Sequence, residues 1–310
     1  MNNSSKQKIL LTGGLGFLGK HLITYQKKCG NEVLTLGRES ESDIVTDLAS
    51  VTPDLSEQTF DYVIHAAGKA HVVPKTDTEA QAFFNVNYWG TINLLTALEK
   101  SKQLPKGIVL ISTVAVYGLD TGENIKETQP LAADEPYGKS KIQAEEAMKD
   151  WGAKHGVTIG ILRLPLVAGK NPPGNLGAMV NAMRKGFYMS IGPAQARKSI
   201  VMASDVAAIV LKAAQVGGTY NLSDGHHPNF EELETMISSK LSKKKPIKIP
   251  MWLAKIMAFA GDMFFTIFRK RFPINSRALS KITSPLTFDD SQARQHLQWN
   301  PKRVLDAFEL

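Results

Sequence analysis

The chain has 310 residues, enough for one large core or for a core carrying a smaller lobe. Its 43% hydrophobic and 21% charged residues exclude a disordered or fibrous protein. The formal charge of +8 suits an anionic ligand, but no zinc-ligand spacing, RNP-like motif or long basic run supports nucleic acid as a partner.

In chain order, the polar segment Met1 to Lys8 lacks the apolar core of a signal peptide, so the cytoplasm is the expected compartment. Ile9-Leu10-Leu11 then reads as a buried strand running into Thr12-Gly13-Gly14-Leu15-Gly16-Phe17-Leu18-Gly19. In this T-G-x-x-G-x-x-G pattern Gly13 permits a tight turn, Gly16 lets a pyrophosphate approach the backbone, and Gly19 lets helix and strand pack closely. The first N–H groups of the helix, around Phe17 and Leu18, would face the phosphates. Cys29, the single cysteine, falls late in that helix and reads as a structural thiol, with no disulfide framework.

Strand-like runs at about 8–12, 32–36, 62–65, 107–112 and 157–162 alternate with helices starting near Gly16, Thr78 and Pro136. That alternation predicts an α/β fold of the Rossmann type, a doubly wound parallel sheet covered on both faces. Residues 166–193, rich in Gly, Pro and Asn, suit loops over the strand ends. Ser204–Gln215 reads as a helix with Ser204 as N-cap. The expected division is a domain of residues 1–165, rejoined by 199–217, and a smaller carboxy-terminal substrate lobe of 166–198 and 218–310. Lys240 to Lys245 with Lys248 read as a solvated helix end and loop. The apolar stretch 249–268 is broken by Lys255 and Asp262, which argues against a transmembrane helix. It reads as helices capping the lobe or forming an oligomer face, with membrane-surface attachment aided by Arg269, Lys270 and Arg271 as the less favoured alternative.

Tyr137-Gly138-Lys139-Ser140-Lys141 carries the chemistry. Reducing a carbonyl or oxidising an alcohol needs a proton donor beside the hydride acceptor, and a tyrosine serves if its pKa of about 10 is lowered. Lys141 lies one helical turn beyond Tyr137 and would place positive charge near the phenol. A hydroxyl at the end of the fourth predicted strand, Ser112 or Thr113, can orient the sugar oxygen. His226 and His227 sit in a turn, and nothing pairs them into a metal site.

Together these residues resemble the extended short-chain dehydrogenases/reductases of the nucleotide-sugar epimerase, reductase and dehydratase group. The resemblance runs through Thr12–Gly19, Asp47-Leu48, His65-Ala66-Ala67-Gly68, Asn87, Gly90-Thr91, Asn93-Leu94-Leu95, Ser112–Gly118 and Tyr137–Lys141. It continues at Arg163-Leu164-Pro165, Asn175-Leu176, Tyr220-Asn221 and Leu297–Pro301. It implies Tyr137 as acid/base, Lys141 as the residue that lowers its pKa and holds the nicotinamide ribose, and Thr113 as the catalytic hydroxyl with Ser112 beside it. It also implies Asn87 as a support, Asp47 and Leu48 against adenine, and Ala66, Ala67 and Gly68 lining the cofactor cleft. The second strand ends Leu36-Gly37-Arg38 without the acidic residue that binds ribose hydroxyls, and Arg38 would favour a 2′-phosphate. The reading therefore tilts to NADP(H) over NAD(H), with stacking on adenine or simple solvation of Arg38 as alternatives.

For the substrate, the resemblance places Asn175 and Leu176 at the nucleoside diphosphate of the sugar, and by the resemblance alone that nucleotide is UDP. Arg197 or Lys198 would grip the diphosphate, and Arg277 is a further cationic candidate or a surface residue. Lys69 and His71 match a variation in surface-sugar enzymes, where His71 could touch the sugar or serve the loop. Val114 and Ala115 after Thr113 disfavour a 4,6-dehydratase, which needs acidic residues there. The leading expectation is a UDP-4-keto-hexose(amine) 4-reductase in surface-polysaccharide precursor synthesis. The alternatives are a UDP-hexose 4-epimerase with tightly bound NAD and a non-catalytic nucleotide sensor. A homodimer through helices around 78–100 and 136–155 is the expected assembly.

Overall fold

A computed structural model describes residues 6–70, 72–268 and 275–310. The candidate His71 and the basic residues Arg269, Lys270 and Arg271 lie outside the described residues. The chain opens with β1 (Lys8–Thr12), α1 (Phe17–Lys28), β2 (Glu32–Gly37), β3 (Ile44–Val45) and β4 (Tyr62–His65). A helical rod follows, made of α2 (Asp77–Phe84), a single π turn (Asn85–Trp89) and α3 (Gly90–Glu99). Next come β5 (Gly107–Thr113), β6 (Gly122–Ile125), α4 (Pro136–His155), β7 (Thr158–Leu164) and β8 (Leu166–Ala168). Then follow α5 (Gly174–Lys185), β9 (Met189–Ile191), β10 (Ile200–Met202), α6 (Ala203–Val216) and β11 (Gly218–Asn221). The remainder is α7 (Phe230–Lys240), β12 (Ile247–Ile249), α8 (Met251–Phe268), α9 (Ser276–Thr283), β13 (Leu286–Phe288), α10 (Ser291–Leu297) and α11 (Val304–Ala307).

The main sheet has the order β11-β7-β5-β4-β1-β2-β3, and every pairing in it is parallel. Successive residues of its apolar strands serve opposite layers. Ile9, Leu11, Ile64, Val109 and Leu162 pack with Leu22 of α1 and Val206 and Val210 of α6. Leu10, Val63, Ile108, Leu110 and Ile161 pack with Leu94 and Leu98 of α3 and Met148 and Trp151 of α4. Burial on both faces explains why these strands read as continuous apolar runs. Strand order reverses between β1 and β4, and an open parallel sheet binds its ligand at the carboxyl ends beside that reversal.

Three details differ from the sequence expectations. Residues 166–193 contain β8, α5 and β9, because Leu176, Met179, Val180 and Met183 give α5 an apolar face despite its Gly- and Pro-rich surroundings. Helix α6 starts at Ala203 with Met202 at its N-cap position, so Ser204 lies inside the first turn. The boundary at 218 also shifts: β11 pairs with β7, and Tyr220, Leu222, Ala293, Leu297 and Trp299 join the core under α6. The carboxy-terminal lobe therefore gathers around a separate core of Leu176, Met179, Val180, Ile200, Leu233, Ile237 and Phe308.

Candidate active site

The glycine-rich turn is fixed by close backbone approach. Gly13 has φ +72°, and a Cβ there would sit 2.7–2.8 Å from the backbone of Ala66 and Ala67. At Gly19 a Cβ would lie 2.1 Å from the Gly13 carbonyl oxygen. Gly16 is exposed at the N-cap position of α1, where no side chain caps the helix and no acidic residue occupies the first turn. The first helical N–H groups have no intrahelical acceptor and favour an anion. Phe17 packs edge-on to His21 and lies beneath Gly169, and half-buried Leu18 packs on the sheet core. This cradle fits a dinucleotide diphosphate.

Beneath the turn, one hydrogen-bond chain joins the strand ends. Ala67 N–H donates to Thr12 Oγ1 at 3.1 Å, Thr12 Oγ1 meets His65 Nδ1 at 2.7 Å, and His65 Nε2 meets Thr91 Oγ1 at 3.0 Å. Thr91 donates onward to the Asn87 carbonyl at 2.7 Å. Because the Thr91 proton is committed, its oxygen must accept from Nε2–H, which leaves Nδ1 to accept from Thr12. Burial, reinforced by the Lys141 charge, lowers the His65 pKa to about 3, which agrees with this neutral tautomer. Asn87 continues the chain: its Oδ1 accepts from Lys69 N–H, and its Nδ2 donates to the Lys69 carbonyl and to Ser140 Oγ. Asn87 thus clamps the loop after β4 to the first turns of α4.

Tyr137 and Lys141 share one face of α4, with Thr113 at the end of β5 across from them. Thr113 acts on the Tyr137 hydroxyl as a nearby polar group. Lys141 is buried, and its Nζ donates to the Ile111 carbonyl at 2.7 Å. Desolvation lowers the Lys141 pKa to about 8, opposed by the nearby Glu145 carboxylate. A Cβ on Gly68 would come within 3.5 Å of Lys141 Nζ, so the loop after β4 passes directly over the ammonium. Phe83 stands 6.0 Å from the Tyr137 ring, and Lys69 Nζ lies 5.6 Å from the Phe83 ring centre, which carries Lys69 to the tyrosine's neighbourhood. Burial raises the Tyr137 pKa, and Thr113 opposes the rise.

Ser112 does not reach the cleft. Its hydroxyl donates to Glu145 Oε1 at 2.5 Å, and Glu145 also receives both Nε and Nη2 of Arg163. Arg163 Nη1 donates to Tyr117 Oη, and that hydroxyl donates to Asn221 Oδ1. Glu145 and Arg163 are buried, at 0% and 3% exposure, so removing either partner strands a charge at a cost of about 3–5 kcal/mol. This network ties α4 to β7 and β11 behind Tyr137. Glu145 could have been noticed in sequence as the one carboxylate on the Lys141-Ala144-Met148 face of α4; its partner could not.

The remaining candidates separate by exposure. Arg38 is exposed just beyond β2 and pairs with Glu39 at 3.2 Å. Asp47 is exposed, though its Oδ1 also accepts from Ala49 N–H. Leu48 turns into the core beside Leu94. Asn175 is exposed at the start of α5, whereas Leu176 is 3% exposed and belongs to the lobe core. Lys198 caps the end of α9 by donating to the carbonyls of Lys281 and Ser284, at 2.8 and 2.9 Å. Burial lowers its pKa to about 8. Arg197 is half exposed and donates to the His226 and His227 carbonyls. Arg277 pairs with Asp120 and with Asp134 and Glu135, which lie three and two residues before Tyr137. A cavity of about 130 Å³ lies in the lobe, lined by Tyr188, Ile191, Gln195, Phe230, Glu234 and Met251 among others, and by none of the three catalytic candidates.

A tyrosine, a threonine and a buried lysine grouped at the carboxyl ends of a parallel sheet, beside a dinucleotide cradle, define a nicotinamide-dependent enzyme of the extended short-chain dehydrogenase/reductase type. Residues 9–223 match the NAD dependent epimerase/dehydratase family, and the chain belongs to it. It is 27% identical to the N-acetyl-α-D-glucosaminyl-diphospho-ditrans,octacis-undecaprenol 4-epimerase of Escherichia coli O157:H7, over 91% of this chain and 87% of that protein. Its fold matches the UDP-glucose 4-epimerase of Thermotoga maritima solved with UDP-glucose, with TM-score 0.74, 20% identity, and 96% and 95% of the two chains covered. RMD of Pseudomonas aeruginosa, solved with NADPH, matches with TM-score 0.71 and 21% identity over 97% and 95%.

Proposed function

We propose that this enzyme transfers hydride at C4 of a nucleoside-diphosphate sugar, and that it works as an NADP(H)-linked reductase of a 4-keto sugar. The observation that carries this reading is the end of β2, where Gly37 and the exposed Arg38 stand in place of a carboxylate. A guanidinium there attracts a 2′-phosphate, which a carboxylate would repel. The helix start at Gly16, the loop of Ala66, Ala67 and Gly68, and Lys141 beneath it would hold the rest of the dinucleotide, with Asp47 towards adenine.

A bound nicotinamide supplies the hydride that reduces C4. Tyr137 gives its hydroxyl proton to the carbonyl oxygen, which becomes the C4 hydroxyl, while Thr113 holds that oxygen in line. The phenolate left on Tyr137 is stabilised by the Lys141 ammonium and regains a proton from solvent. Burial makes Tyr137 a reluctant acid in isolation, so the positive charge of Lys141 is most useful once the proton has moved. Arg197, whose Nη1 donates to the His226 and His227 carbonyls, would meet the diphosphate with the rest of its half-exposed guanidinium, and Lys69 approaches the sugar from the Phe83 side. The α2–α3 rod and α4 form the face of a homodimer, a reading supported by Trp89, 47% exposed on the rod.

The second reading is 4-epimerisation, favoured by the names of the relatives. The two are separated by releasing and identifying the nucleotide carried by purified protein, then assaying UDP-hexoses without added cofactor. An empty site that consumes NADPH only with a 4-keto sugar supports the reductase. Stoichiometric NAD with interconversion of C4 epimers would overturn it in favour of the epimerase. Arg38→Ala is expected to weaken NADPH binding by about tenfold or more and NADH little; equal losses would remove the 2′-phosphate role.

A further inference from the structure

Helix α8 is arranged the wrong way round for a helix facing water. Its inner side is built from Ala254, Ala258 and Gly261, which are buried, with the two alanines in a cluster with Ile249 and Leu279. Its outer side carries Trp252, Ile256, Phe259 and Met263, exposed by 64, 57, 65 and 50%. At 100° per residue these four fall within an arc of about 60° and form a ridge roughly 17 Å long. Lys255 is exposed at the edge of that arc. The carboxylate of Asp262 turns to the Ser276 N–H. The strand that delivers the chain into α8 continues the pattern, with Ile247 79% exposed and paired across the ribbon with Met189. Lys243, Lys244 and Lys245 are exposed just before it.

We propose that this ridge lies in the headgroup region of an anionic lipid bilayer and holds the enzyme on a membrane surface. An apolar helix face bearing Trp and Phe, with Lys255 at its edge and no carboxylate among its exposed residues, is the pattern of an interfacial helix. The lysines before β12 and Lys255 supply the attraction to anionic headgroups. A second copy fits less well. The ridge offers about 200 Å² from its length and a helix diameter of about 10 Å, against the roughly 800 Å² per partner of a stable interface. It would also bring two lysine clusters together. Among the described residues no helix is long and apolar enough to cross a membrane, so the contact is lateral. The proposal holds for either C4 reaction.

The test is flotation of the full-length protein with vesicles of phosphatidylcholine alone or with about one third phosphatidylglycerol. The expected result is flotation with the anionic vesicles and release by salt. Trp252→Gln with Phe259→Gln should weaken binding by about tenfold or more, while Tm and NADPH binding stay unchanged. Lys243→Ala, Lys244→Ala and Lys245→Ala combined should weaken the anionic preference. The proposal is overturned by no flotation, by equal flotation with neutral vesicles, or by flotation that the ridge variants leave intact. It is also overturned if those variants instead dissolve a concentration-dependent dimer.

Discussion

At the scale of single residues, the site divides the work between groups that meet substrate and groups that hold them. Tyr137→Phe should lower kcat by at least about a thousandfold while NADPH binding, followed by fluorescence, changes little. Lys141 makes a sharper test because it is buried at a cost. Its pKa of about 8 in the fold lies below that of an exposed lysine, so its charge opposes folding below about pH 8 and that penalty fades as pH rises towards 10.5. Lys141→Met should therefore lose activity without losing stability near pH 7, read from Tm beside turnover. His65 works in the opposite pH range. Its folded pKa of about 3 means that the unfolded chain takes up a proton below pH 6.5 that the fold refuses. Stability should fall by about 1.4 kcal/mol per pH unit from this group as pH drops below 6.5, and His65→Gln should remove that slope between pH 6.5 and 5 in denaturant titrations. Motif spacing singled out Thr113, Tyr137 and Lys141 as candidates, because helical and strand geometry alone brings such positions together. It left the His65 chain and the Glu145–Arg163 pair unread, because hydrogen bonds between residues 18 to 53 positions apart depend on how the layers stack.

At the scale of elements, strand and helix positions were legible to within about two residues where burial enforces an apolar pattern, as in β1, β4 and α4. Legibility failed in α5, whose Gly-Pro surroundings masked an apolar face, and in the cationic candidates, whose exposure the chain does not encode. Helix α9 shows why. Lys198 caps its end, Arg277 and Lys281 extend to Asp120, and Arg277 reaches Glu135 two residues before Tyr137. These pairs are solvent-exposed, so each adds at most about 1 kcal/mol to stability. Their value lies in fixing the segment between Gly118 and Tyr137. Arg277→Ala with Lys281→Ala should shift Tm by no more than roughly 4 °C yet raise KM for the sugar nucleotide, and salt should reproduce the effect in the unmodified enzyme. An unchanged KM would confine α9 to a surface role.

At the scale of the whole molecule, the sheet was readable as a doubly wound α/β fold, and the relation between its parts was less so. The run from Gly218 onward first completes the sheet through β11 and only later returns to the lobe, a crossing that local composition does not mark. If the rod and α4 form the dimer face, Trp89→Asp should convert the protein to a monomer in light scattering, because it buries a charge at the centre of that face. A dimer that persists would move the interface elsewhere.

The π turn at Asn85–Trp89 gives the rod one surplus residue, and a surplus can be removed. Deleting Val86 would let the rod wind as an ordinary α-helix with α2 and α3 close to their present phase, because four residues at about 100° cover nearly the arc that five cover in the wider π turn. Phe83 would then still face Tyr137 although the rod had lost a residue. Such a deletion should leave a folded protein with turnover near that of the parent, and it would mark the π turn as a splice: a residue taken up without disturbing the phase of the helices on either side.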